Sequence, residues 1–213
     1  MKTAIFAESS ISPHFLTKLP NTIVLPAASR DSFAEVARSD VERIILIDGV
    51  FYTQRAVWHR DILYAIGKGI KVFGVSSMGA LRAAELFSFG MKGYGWVYRQ
   101  YIRGVIYGDD EVSLYYEKRG ETIHPLTYPV VSLRYLLSFH FKLKGSEFEE
   151  LISKVKNLSF DARTYDRIFY IALESLGPVF ASRLKGLMLN SAYDVKNMDA
   201  LRLVSRLYKD DLI

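Results

Sequence analysis

"IKVFGVSSMGALRAAEL", residues 70–86, is the stretch on which the fold turns. It opens as a short apolar run containing the β-branched Ile70, Val72 and Val75, and it closes as a string of strong helix formers from Gly79 onward. Only Ser76, Ser77 and Met78 lie between the two halves, so a strand must pass almost directly into a helix. The same texture recurs on the N-terminal side. "KTAIFA" (2–7), "NTIVLP" (21–26) and "ERIILIDG" (42–49) read as strands, and "SRDSFAEVARS" (29–39) and "QRAVWHRDILYAIGKG" (54–69) read as helices between them. In the second helix Val57, Ile62, Ala65 and Ile66 share an apolar face, and Gly67 and Gly69 supply a stop.

Strands alternating with helices imply a parallel sheet covered on both faces, an α/β, Rossmann-like architecture. Right-handed crossovers put the C-terminal ends of the strands along one edge, where such sheets bind ligands. Asp48 and Ser77 are therefore expected just beyond the ends of successive strands. After Phe89 the texture changes. "GMKGYGWVYRQYIRG" (90–104) reads as a loop and a short helix, and "DDEVSLYYEKRGETIHPLTYP" (109–129) as a hairpin, with Val112, Leu114 and Tyr116 alternating and "KRGE" turning. From Ser132 onward the pattern is helical: Ser146 and Glu149 have capping-box spacing, Gly177 ends one helix and Pro178 opens the next. Leu201, Val204 and Leu207 keep helical spacing in the tail. These cues give an α/β core with its hairpin over residues 1–131 and a helical C-terminal region over 132–213, packed on the core.

The 213 residues are half hydrophobic, enough for one sizeable core or a main domain with an appendage. Cysteine is absent, which removes disulfides, thiolate nucleophiles, thiolate metal sites and a persulfide carried on this chain. The first fifteen residues lack a signal-peptide h-region, and no stretch approaches the roughly 18–20 apolar residues of a membrane span, so a soluble cytoplasmic protein is expected. The net charge of +5 is spread along the chain rather than massed, which disfavours nucleic acid as a partner and fits an acidic protein partner equally well.

The serine turn has two readings. A serine hydroxyl exposed at a strand-to-helix turn is placed for nucleophilic attack, with backbone N–H groups near Met78 and Gly79 facing the oxyanion. Alternatively, Ser76 or Ser77 caps the helix. The spacing G-x-S-S-x-G departs from the hydrolase elbow G-x-S-x-G. If Ser77 is a nucleophile it needs a base, and His59 oriented by Asp48 is the candidate because the three belong to adjoining strand–helix units. Arg82 and Glu85, three apart, form a local ion pair, or else Arg82 meets a carboxylate or thiocarboxylate above the turn. Asp109, Asp110 and Glu111 are candidate acid/base or cation-binding groups, or a solvated start to the hairpin. No His-rich metal spacing, P-loop or dinucleotide fingerprint is present, so neither a metal nor a cofactor is assigned.

Taken together, "IDGVF" (47–51), "HRDIL" (59–63), "GVSSMGALRAAEL" (74–86), "GMKGYG" (90–95), "GDDEV" (108–112) and "PVVSLR" (129–134) resemble the TfuA-like family. "AESS" (7–10) and Arg30-Asp31 depart from the family's pattern in the first loop and near the second helix. The resemblance implies a partner of YcaO proteins in peptide-backbone thioamidation, which obtains sulfur by hydrolysing a thiocarboxylated, ThiS-like carrier and releases hydrosulfide near YcaO. The peptide or protein substrate would be reached through YcaO. Direct attack by water activated at Asp109–Glu111 is the mechanistic alternative to a serine nucleophile. A non-catalytic adaptor that positions or activates YcaO through "WVYRQYIRGVIY" (96–107) is the functional alternative.

Overall fold

The computed structural model describes residues 1–51, 54–120 and 122–209. The chain forms two compact units, Met1–Gly108 with Lys196–Ile213 and Asp109–Val195. In the first unit the order is β1 (Thr3–Phe6), α1 (Pro13–Leu16), β2 (Thr22–Leu25), α2 (Arg30–Arg38), β3 (Arg43–Leu46), α3 (His59–Gly67), β4 (Lys71–Val75), α4 (Met78–Leu86), β5 (Lys92–Tyr94) and α5 (Gly95–Ile102). The five strands make one parallel sheet in the order β2-β1-β3-β4-β5, with Phe6 opposite Leu46, Leu46 opposite Gly74 and Val75 opposite Tyr94. The Rossmann-like α/β expectation is met.

The runs in β1 and β3 are apolar throughout because both faces of these strands are covered. Ala4, Phe6, Ile44 and Leu46 face Phe33, Ile62 and Ala83 on one side. Ile5, Ala7, Ile45 and Ile47 alternate to the other side, against Leu16, Ala200, Leu203 and Val204. Phe6 stacks on Phe33 at 5.7 Å, and burying a side chain of this size stabilises by about 1.5–3 kcal/mol. The last three of those apolar partners lie on α10 (Val195–Lys209), which carries the chain back into the first unit.

In the second unit β6 (Tyr116–Arg119) pairs antiparallel with β7 (Thr122–Pro125), followed by α6 (Val130–Phe139), α7 (Gly145–Lys156), α8 (Tyr165–Leu176) and α9 (Pro178–Met188). Its core gathers Leu133, Leu137, Leu151, Ile168, Ala181 and Leu184. No helix among the described residues is long and apolar enough to cross a membrane.

Several local expectations change. A fifth strand forms at Lys92–Tyr94, within the segment read as a loop, by pairing on the edge of β4, and Gly93 within it leaves room for the Tyr98 ring, which would lie 2.0 Å from a Cβ there. Helix α3 starts at His59 rather than at residue 54. The hairpin is shorter than 109–129: Val112 and Leu114 precede β6, and Glu121 of the expected turn lies outside the described residues, as does the end of the tail, 210–213. Ser146 caps nothing; α7 begins one residue earlier, with Lys144 in the cap position. The two units divide at 108/109 and 195/196.

Candidate active site

In this strand order the chain leaves β1 for β2 on one side and returns to β3 on the other, so the connections diverge between β1 and β3. A crevice opens at such a point beyond the strand ends. Asp48, two residues past β3 and 2 % exposed, lies at this point of the sheet. Its carboxylate accepts from the Glu8 N–H (2.9 Å), the Ser10 N–H (2.9 Å), the Ser10 hydroxyl (2.6 Å) and, more weakly, the Ser9 hydroxyl (3.4 Å). Those bonds fold the loop after β1 over the strand ends. The Asn197 amide on α10 donates to the Ser10 carbonyl and ties the same loop to the last helix. Asp48 thus holds "AESS" in place; it does not orient His59.

The serine turn is built by two close backbone approaches. A Cβ on Gly74 would lie 2.0 Å from the Gly79 carbonyl oxygen, and one on Gly79 would lie 1.8 Å from the Leu46 carbonyl oxygen, so α4 sits directly on β3 and β4. The strand then reverses sharply at Ser76, a non-glycine residue with φ of 73°. Such backbone is uncommon outside turns and functional sites. The Ser76 side chain is fully buried, and its hydroxyl donates to the Lys196 carbonyl of α10 at 2.8 Å. Ser77 follows as the cap residue of α4, with its N–H on the Val75 carbonyl, yet its hydroxyl makes no capping bond. Capping therefore accounts for neither serine side chain. Ser77 is buried, at 3 % exposed.

The expected oxyanion donors separate. The Gly79 N–H is already spent on the Ile47 carbonyl at 3.2 Å, which corrects its assignment as a free donor. Among the described residues the Met78 N–H has no backbone acceptor, and the Met78 side chain packs against Gly49. The proposed base is also displaced. His59, the first residue of α3, is exposed and pairs through Nε2 with Glu85 Oε2 at 2.8 Å. Glu85 lies eight residues beyond Ser77 in the chain, about 12 Å along a helix axis, so this pairing holds the imidazole away from the turn. Arg82 is taken up locally: Nε donates to the Val57 carbonyl and Nη1 to Glu85 at 2.6 Å, the ion pair of the simpler reading.

In the second unit, the Asp109 carbonyl accepts from the Val112 and Ser113 N–H groups and the Ser113 hydroxyl, forming a turn. Asp110 pairs with Arg163 at 3.2 Å. The Glu111 carboxylate, wholly buried, takes both Arg134 Nε and Nη2 at 3.0 Å and Lys156 Nζ at 2.9 Å. Asp110 and Glu111 are thus matched to cations, Glu111 in full burial and Asp110 at a partly exposed position. Among the described residues, no group of three or more His, Cys, Asp or Glu is arranged to hold a metal ion.

One buried carboxylate of the first unit was not singled out by the sequence. Asp199 on α10 is 1 % exposed; Oδ2 accepts from the Val97 N–H at 2.9 Å, whereas Oδ1 has no partner. Burial raises its carboxyl above the ordinary aspartate value, against the lowering effects of the Trp96 and Val97 N–H groups and of Arg99 and Arg202. Its signal was the helical spacing that puts Asp199 on the same face as Leu203, among residues that go inward.

Strand order and the tight β4–α4 turn define the first unit as a doubly wound parallel α/β domain, a fold that binds ligands at the C-terminal strand ends. The family of TfuA-like proteins matches residues 48–164, more than half of the chain, and this chain belongs to that family. Membership associates it with YcaO proteins and YcaO-dependent thioamidation. No curated protein matches the sequence.

Proposed function

We propose that this protein provides sulfur for YcaO-dependent thioamidation by hydrolysing the thiocarboxylated C-terminus of a ThiS-like carrier at the serine turn. The observation that carries the reading is the Ser77 hydroxyl: it stands at the start of α4 without a capping bond, whereas that of Ser76 is engaged with α10. Ser77 Oγ attacks the thioacid carbon, the carbon–sulfur bond breaks, hydrosulfide departs, and water hydrolyses the resulting ester. The Met78 N–H and the α4 N-terminus favour the developing oxyanion. An extended, slender C-terminal tail is the substrate shape suited to a hydroxyl as little exposed as that of Ser77. The reaction so drawn needs no cofactor.

The test supplies purified carrier thiocarboxylate without YcaO and measures sulfide. Wild-type protein releases it; Ser77→Ala loses about 100-fold or more, while Ser76→Ala, which removes only the latch to α10, retains the chemistry. A folded Ser77→Ala protein with full sulfide release ends the covalent mechanism. A second reading, an adaptor that docks on YcaO, is favoured by Ile102, Val105 and Tyr107, which are exposed at 42 %, 51 % and 71 % in one short segment. Stimulation of YcaO by this protein when free sulfide is supplied, with no sulfide release from the carrier, identifies that role.

A further inference from the structure

Asp199 and the serine turn meet at the same edge of the sheet. Val75 of β4 pairs with Tyr94 of β5, and directly after that pair both chains leave the sheet, at Ser76 and at Gly95. Asp199 sits against Gly95: a Cβ there would lie 2.3 Å from both the Asp199 carboxyl carbon and Oδ2. Gly95 has φ of 98°, so both its backbone and its missing side chain admit the carboxylate. The Ser76 hydroxyl reaches the Lys196 carbonyl, three residues before Asp199 on α10 and therefore on the same side of that helix. Oδ2 is used by α5. Oδ1 is left without a hydrogen bond in a place almost closed to water, which is rare enough to demand an occupant or a proton.

We infer that Asp199 is the proton-transfer group of the serine turn, a role that rests on the hydrolase reading above. Oδ1 accepts the Ser77 hydroxyl proton, directly or through one water, as Ser77 Oγ bonds to the thioacid carbon. The tetrahedral intermediate then expels sulfur, and the same proton passes from Asp199 to it, giving hydrosulfide and the Ser77 ester. In the second half, Asp199 takes a proton from the attacking water and returns it to Ser77 Oγ as the ester bond breaks. The sum is thiocarboxylate plus water giving carboxylate, hydrosulfide and one proton, with no oxidant or further reactant. Arg99 on α5 and Arg202 on α10 lie close enough to act on the carboxyl, and the Lys196 side chain is buried one turn earlier on α10. Burial raises the carboxyl above the ordinary aspartate value, which makes the ionised form a stronger proton acceptor than a free aspartate.

The test is the pH profile of kcat for sulfide release from carrier thiocarboxylate, with Asp199→Asn and Asp199→Glu beside wild type. Asparagine keeps an acceptor for the Val97 N–H, so a structural role predicts little change. The proton-transfer role predicts a fall of about 100-fold or more and loss of the acidic limb. Glutamate is expected to restore part of the rate with a displaced limb. Unchanged kcat in a folded Asp199→Asn protein, or a lower kcat with the limb intact, overturns the assignment while leaving the hydrolase reading standing. Should asparagine not fold, an unmoved limb in Asp199→Glu overturns it instead. Absence of sulfide release from wild type removes both together.

Discussion

Gly79→Ala puts one methyl group where the structure has least room for it. The new Cβ would stand 1.8 Å from the Leu46 carbonyl oxygen and 2.6 Å from its carbon, roughly 1.5 Å short of ordinary contact. Neither neighbour is a side chain that can swing away. Leu46 lies in the fully buried β3, and on the β4 side the Gly79 carbonyl is itself 2.0 Å from where a Gly74 Cβ would be. Overpacking against backbone costs about 3 kcal/mol, at the upper end of its usual range. Forcing α4 outward weakens the Gly79 N–H bond to Ile47, another 1 kcal/mol or so, and the gain in helix propensity returns about as much. The net loss is about 3 kcal/mol, or a Tm fall of roughly 6–12 °C for a chain of this size. Gly67→Ala is the control, since nothing lies within 4 Å of its Cβ position; this variant should gain about 0.5–1 kcal/mol. Trp58 and Trp96, the only two tryptophans, both belong to the first unit, so urea unfolding followed by their fluorescence reports on that unit. Equal midpoints for Gly79→Ala and wild type, or shifts of one sign in both variants, would refute the close-approach argument.

Glu111→Gln strips the countercharge from Arg134 and Lys156 in a buried setting and should cost about 3–5 kcal/mol, measured by urea unfolding followed by far-UV circular dichroism. His59→Ala, on an exposed pair with Glu85, should change stability by no more than about 0.5–1 kcal/mol and leave sulfide release intact; loss of activity would return the imidazole to the chemistry. Asp199 binds its proton more tightly when folded, so its contribution is complete below the unfolded value near about 3.9 and is lost as pH rises through the folded one. The stability of Asp199→Asn relative to wild type should therefore increase with pH across that window, and a flat difference curve would contradict the raised value. Burial, then the Asp194 charge, raises Tyr165 to about 12, so its share of stability is full below the ordinary value near about 10 and disappears as pH climbs through 12; Tyr165→Phe should flatten that alkaline loss, read alongside phenolate absorbance.

The parallel sheet was legible because β1 to β4 are short apolar runs separated by helical spacing, and both signals are local. β5 was not: three residues containing Gly93 carry little strand propensity, and only the open edge of β4 makes them pair. At the site, the placement of Asp48 and Ser77 beyond successive strands could be read from chain order alone. Their partners could not. Asp48 chose the loop after β1 and His59 chose Glu85, which are choices among residues 26 or more positions apart in the chain. Asp199 was harder still, since its meaning depends on Gly95, more than a hundred positions earlier, being bare. In the second unit the carboxylate run gave no hint of Arg134, Lys156 and Arg163, the cations that claim it.

The first unit is written in two pieces, with residues 109–195 intervening. On a ribosome its sheet is complete after β5, but α10, which covers one face and supplies Asn197, Asp199 and the carbonyl that receives Ser76, arrives a whole unit later. Until then Ile5, Ile45 and Val75 lack the α10 part of their cover and the strained turn lacks its latch. A nascent chain therefore waits through the synthesis of an entire second core with one sheet face only partly covered, which makes that interval the natural point for chaperone capture and for wrong pairing with another copy.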